Sequence, residues 1–303
     1  MTPVGSMFPL DGETPPTFGL SNFDSRPLFP SHLWVTSAGA QSTWTDIWFT
    51  NHILQAVVGA ALVIGFWLWM ARGLKVVPGR KQYVGEAAYN LVRNGIAREV
   101  IGTNFQRYTP YLVALISFIV VNNLFGETFL FMFPTFSKIG FVWALAISTF
   151  VLYNAAGIRN QYRKITAARA AANKPAGSPI AHGLLAFGHY FIKMTVPPGV
   201  PKPLLILIGP LEFLSNFITR PVTLCLRLFA NLLAGHLILG VFILGGTYLM
   251  IYSHNTVYHV AGGLSMVIAF AMFALEIFVA CLQAYVFTVL TAQYVSSALS
   301  EEH

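Results

Sequence analysis

The sequence predicts an all-α polytopic membrane protein, and three observations carry that prediction. Of 303 residues, 55% are hydrophobic and 10% are charged, against about 25% charged in soluble domains. Apolar runs recur at lengths near or above the roughly 20 residues that cross a bilayer as a helix. The Lys and Arg residues collect in alternate connections between those runs, as the positive-inside rule requires. The formal net charge of +7 therefore belongs to anchoring loops, and no nucleic-acid partner is implied.

Residues 1–46 carry prolines and scattered aromatics with no basic n-region and apolar h-region. They read as an irregular extramembrane extension without a cleavable signal peptide, leaving 47–303 as the membrane domain. The first span covers about 48–70. Residues 79–102, "GRKQYVGEAAYNLVRNGIAREVIG", follow, with Tyr83, Ala87, Leu91, Ile96 and Val100 as an apolar stripe opposite Arg93, Asn94 and Arg98. That pattern suits a helix lying in the membrane interface or a short helix packed on the membrane part. The second span covers about 108–131 and the third about 139–156. "ARAAANKPAGSP" then reads as a flexible linker. The fourth run, about 204–249, is twice the length of an upright span, and its composition fits a tilted helix or a hairpin. The last run covers about 257–299.

Residues 71–107 hold seven Lys and Arg, and 157–193 hold six, together 13 of the 18 in the chain. The connections at 132–138 and 250–256 hold only Lys138. The basic loops 71–107 and 157–203 are thus cytoplasmic, the N-terminus is outside and the C-terminus cytoplasmic. No internal repeat supports an inverted-repeat transporter. No nucleophile set, phosphate loop or haem motif supports a membrane enzyme, and no cofactor is expected. His254 and His259 stand at i and i+5 without a nearby carboxylate or cysteine, so no metal site is expected there. Cys225 and Cys281 lie within apolar segments and read as small core residues.

Ionisable groups inside a bilayer are functional candidates. The fourth run holds Glu212, Arg220, Arg227 and His236, with Asn216 and Asn231 between them. Arg227 sits in an apolar stretch with no acid in the segment 221–246. It cannot release its proton, and burial at mid-bilayer costs about 2.5–3.5 kcal/mol on insertion scales. Asn231, four residues on, shares its helix face, whereas His236, nine residues on, points about 180° away. Glu276 and Gln283, seven apart, share a face of the last run. Asn122, Asn123 and Glu127 near the outer end of the second run either line a wet entrance or cap a helix end.

"RPVTLCLRLFANLLAGHL", residues 220–237, resembles the signature of subunit a of F-type ATP synthases. The final run, with Glu276, "LQAYVF" and the terminal "SEEH", is similar to the last helix of that family. The approach "VPPGVPKPLLILIGPLEFLSNFITRP" resembles actinobacterial members. The resemblance covers about 45–303. It implies a proton-conducting stator subunit, with no catalysis of its own, that offers two offset aqueous half-channels to the carboxylates of a c-subunit ring. The last two helices would be long and strongly tilted around that ring. Other implied partners are b-type peripheral stalk subunits, the F1 sector through the complex, and the lipid of an energy-transducing, most plainly bacterial plasma, membrane.

The implied roles follow residue by residue. Arg227 corresponds to the ring-facing arginine, Asn231 to the asparagine of the signature, and Gln283 to the glutamine opposite the arginine. His236 and Glu276 stand where many members have Glu and His, a reciprocal exchange that keeps one acid and one imidazole. Glu127 and Asn123 join them in the outer channel. Glu212 matches an acid near the cytoplasmic exit, and Thr223 stands where serine is usual.

Overall fold

A computed structural model describes residues 51–299 apart from 73–74, 77–78, 103, 129–134, 172–178, 196–201 and 253–255. The N-terminal extension, His254, the end of the linker and the terminal "SEEH" lie outside the described residues. The described residues form helices: α1 (Asn51–Ala71), α2 (Arg80–Val92) with a π-helical continuation (Arg93–Ile101), α3 (Phe105–Gly126), a 3-10 turn (Thr135–Ser137), and α4 (Ile139–Ala171). Then come α5 (Pro179–Thr195), α6 (Lys202–Leu214), a π-helical turn (Ser215–Thr219), α7 (Arg220–Tyr252) and α8 (Thr256–Leu299). Five stretches are long and apolar enough to cross a membrane: 52–71, 105–126, 139–170, 208–251 and 256–299. The expected all-α polytopic class is the observed one.

Several boundaries differ from the hydropathy reading. The third helix runs past the apolar stretch 139–156 to Ala171, because "AARAA" is strong helix-forming sequence even without apolar character. That stretch is therefore helix, not linker. The basic segment 157–203 also contains α5, a 17-residue helix that charge counting alone conceals. Within 80–101 the apolar stripe is split between surface and interior. Tyr83 and Leu91 are exposed, and the buried residues are Gly85, Val92, Ile96, Ala97 and Ile101. A π-helical stretch holds more residues per turn than 3.6, so a periodicity projected across Arg93 drifts off the buried face.

The chain forms two compact units. The described residues of the first come from 51–72, 117–138 and 228–285. In it Trp67 Nε1 donates to Ser117 Oγ at 3.2 Å. The missing side chain of Gly59 makes room for Asn122, whose amide would lie 2.6 Å from a Cβ there. Fully buried Asn122 donates to the Phe118 carbonyl and accepts from Thr135 Oγ1, so none of its polar burial is wasted. Asn123 Nδ2 donates to the Ala280 carbonyl at 3.1 Å, tying α3 to α8. Near the hairpin end, a Cβ on Gly262 would stand 2.9 Å from the Gly246 carbonyl. Glycine at that point lets the α7 and α8 backbones approach closely.

The described residues of the second unit come from 75–116, 139–227 and 286–299. Helices α4 and α5 pair antiparallel. Arg169 and Tyr162 meet His182 at one end, and Tyr190 donates to Asn154 Oδ1 at the other. Burial pushes the Tyr190 phenol up, which keeps it a neutral donor. Gly157 lies flat against the Tyr190 ring. Phe191, Phe213 and Phe217 stack with centroids 4.8–5.6 Å apart. Tyr153, 1% exposed, donates to the Asn216 carbonyl in the π-helical turn. The guanidinium of Arg220 lies 5.1 Å from the Tyr294 ring centre, a cation–π geometry.

Polarity is arranged in the reverse of a soluble protein. Leu62, Ile64 and Leu68 on α1, and Val267, Phe270 and Phe278 on α8, are all more than half exposed. His52, Gln55, Asn122, Asn123, His236, Glu276 and Gln283 are buried. Lipid accepts the apolar exterior, and polar groups gather where they can meet one another.

Candidate functional site

Two acids of the first unit, their side chains buried, meet His236, in the middle of α7. Its Nδ1 is in direct contact with Glu276 Oε1 of α8. Its Nε2 lies 3.3 Å from the Gly126 carbonyl at the end of α3 and 3.7 Å from Glu127 Oε1. His236, Glu127 and Glu276 have side chains only 7%, 4% and 7% exposed. Both ring nitrogens face acceptors, so the imidazole can take a proton on one edge and release it from the other. Sequence separations of 109 residues (127 to 236) and 40 residues (236 to 276) close into one cluster.

The pair depends on a residue that the sequence reading passed over. A Cβ on Gly235 would fall 2.7 Å from Glu276 Oε1 and 3.1 Å from its carboxyl carbon. Glycine inside a helix costs about 1 kcal/mol relative to alanine, and here it lets a carboxylate cross to the neighbouring imidazole. The available signal was a glycine directly preceding an intramembrane histidine. Gly235→Ala is expected to turn the Glu276 carboxyl away from His236, because that carboxyl is the flexible end of its side chain and yields to the added methyl. A structure of the variant, read for the His236–Glu276 contact, checks this.

Two turns along α8 from Glu276 stands Gln283, a further buried polar group. Gln283 Oε1 accepts from Asn231 Nδ2 at 3.3 Å, linking α7 to α8. Gln283 Nε2, Asn123 Oδ1, Glu127 Oε1 and Glu276 Oε2 are buried without a hydrogen-bond partner among the described residues. Dry burial of such atoms costs about 1–3 kcal/mol each, so this interior suits water better than hydrocarbon.

The other expected site residues belong to the second unit. Arg227 is exposed on α7 and makes no hydrogen bond or ion pair among the described residues. Glu212 is half-buried on α6, two residues after Pro210. Thr223 is exposed, and its hydroxyl bonds back to the Thr219 and Arg220 carbonyls at 2.8 and 3.0 Å. Its hydroxyl is thus engaged by its own helix.

Residues 53–181 and 179–296 match the family described as ATP synthase A chain. The chain belongs to that family. It is 40% identical to the ATP synthase subunit a of a Nocardioides species over 293 residues, covering 97% of this chain and 95% of the relative. It is 36% identical to that of Frankia alni over 258 residues, covering 84% and 80% respectively. The subunit a of Streptomyces lividans is 31% identical over 294 residues, 97% of this chain and 91% of that one. The actinobacterial resemblance of the sequence agrees with these relatives. Five apolar helices together with bacterial relatives make this a bacterial membrane protein of the ATP synthase membrane sector.

Proposed function

We propose that the chain is the proton-conducting stator subunit of an F-type ATP synthase, providing two offset half-channels separated by Arg227. The observation that carries this reading is Arg227 itself. It is an obligatory cation, exposed on α7 with no acidic partner among the described residues, within the 44-residue apolar stretch 208–251. No described residue supplies its counter-ion, and a carboxylate on each subunit of a passing c ring is the fitting one. Attraction to the guanidinium stabilises the ionised ring acid and favours release of its proton. A guanidinium that never deprotonates also blocks direct hopping between the half-channels. Lysine, which sheds its proton when desolvated, would serve poorly.

The outer half-channel runs through Glu127, Asn123, His236 and Glu276, with Asn231 and Gln283 leading toward the ring. The inner one uses Glu212 and Thr223. The apolar exposed faces of the 44-residue stretches 208–251 and 256–299 support tilting. A helix of about 66 Å fits within a bilayer about 40–45 Å thick only if inclined by roughly 50°. Each proton crossing 100 mV releases about 2.3 kcal/mol, which the ring collects as rotation. The chain performs no ATP chemistry, and its N-terminus lies outside with its C-terminus in the cytoplasm. Partners are the c ring, b-type stalk subunits and, through the complex, the F1 sector.

A secondary transporter or stand-alone proton channel is the competing reading. Affinity purification of the tagged chain separates them: a stator subunit brings c subunits, stalk and soluble catalytic subunits with it. Recovery of the chain alone, in lipid that preserves complexes, would refute the assignment.

A further inference from the structure

We propose that Glu127, His236 and Glu276 form a binding site for a divalent transition-metal cation of the zinc class, whose occupancy blocks the path through His236. The site itself is inferred from the cluster's geometry. Only the block of pumping rests on the proposed proton path.

Three independent features converge. One ligand atom from each of the three side chains lies within 4.8 Å of the others. Tetrahedral coordination with bonds of about 2.0 Å needs ligand atoms about 3.3 Å apart, so side-chain rotation closes the set. The ligands come from the end of α3, from α7 and from α8, and a metal would therefore meet a framework assembled by tertiary packing. Second, Glu127 Oε1 and Glu276 Oε2 are buried without a hydrogen-bond partner, on side chains 96% and 93% buried. They are acceptors already held in place. Third, in the deprotonated form that metal ligands take, the two carboxylates and the neutral imidazole would sum to a charge of −2, and the described residues give the cluster no Lys or Arg partner. A divalent cation neutralises that sum, whereas a proton on His236 leaves one negative charge over.

One imidazole nitrogen and two carboxylates suit zinc. Calcium prefers six to eight oxygens, and magnesium a near-ideal octahedron of them. The sequence alone directs attention to His254 and His259, whose spacing is wrong for a shared metal. The fold assembles a better donor set from distant positions.

The test uses the intact, purified ATP synthase complex containing this chain, equilibrated with zinc chloride and freed of unbound metal. The wild-type complex should retain one more zinc per complex than the His236→Gln complex. X-ray absorption at the zinc edge should show an imidazole nitrogen at about 2.0–2.1 Å with oxygen neighbours. Glu127→Gln and Glu276→Gln, each nearly isosteric, should weaken zinc binding at least about tenfold, the lower range seen even for outer-shell partners. They keep the question answerable if His236→Gln does not assemble. Equal zinc content in wild type and variants, or a ligand shell without imidazole, overturns the proposal. The Arg227→Ala complex removes no ligand and should bind zinc as the wild type does; loss of zinc there would also refute a local site. Pumping by Arg227→Ala, by contrast, would sink the stator reading and leave the zinc measurement intact.

Discussion

Arg227→Ala is expected to leave an assembled complex that neither pumps protons on ATP hydrolysis nor makes ATP from a proton gradient. The side chain is exposed and has no hydrogen-bond or ion-pair partner among the described residues, so its removal disturbs little internal packing, and surface substitutions of that kind usually change stability by less than about 0.5 kcal/mol. The functional loss should be near complete because two effects vanish together. The ring carboxylate loses the cation that favours its ionised form, and the barrier to direct hopping between half-channels disappears. Acidification of inverted vesicles reads the first effect, and passive proton leak through the membrane sector reads the second. Arg227→Lys should restore charge only partly, because a desolvated ammonium can deprotonate. Pumping near the wild-type rate in Arg227→Ala, with assembly confirmed by co-purification, would reduce the residue to a structural role.

The second large effect concerns the exchangeable pair. His236→Glu alone brings a third carboxylate beside Glu276 and Glu127, and Glu276→His alone sets two imidazoles together. Each single change should slow pumping at least about tenfold, since like charges in a buried site disfavour the working protonation states. The double exchange His236→Glu with Glu276→His restores one acid and one imidazole in contact and should recover much of the rate. The coupling should lie within the 0.5–3 kcal/mol seen for residues in contact. If the double variant is no better than the product of the singles, the pair does not act as a relay. Gly235 sets a condition on this test: it clears the path for the side chain from position 276, so both exchanges are made with that glycine retained.

Membrane class, number of spanning stretches and the identity of the ionisable candidates were legible in the amino-acid string. They follow from composition, from run length against bilayer thickness, and from the rarity of charge in hydrocarbon. Arg227 could be singled out before any fold was known, because no arrangement makes a buried guanidinium neutral. The interfacial stripe shows where periodicity stops being decisive: Tyr83 and Leu91 are exposed, which suits an apolar face turned to lipid. In a membrane sector an apolar side chain can face lipid, so hydrophobicity no longer says which side is inside. The π-helical stretch 93–101 then displaced the periodicity itself.

By itself the sequence determined that this chain lives in a membrane as helices and carries a few expensive polar groups. Those properties depend on residue type and on local spacing. Only the tertiary structure decided that Glu127, His236 and Glu276 meet, that Gly126 turns its carbonyl toward the imidazole, and that Gly235 gives Glu276 passage. Contacts across 40 to 109 residues depend on how α3, α7 and α8 pack. That packing is set by glycine clearances and side-chain bonds such as Asn123 to Ala280 and Asn231 to Gln283, because lipid offers the helices no hydrophobic reason to associate.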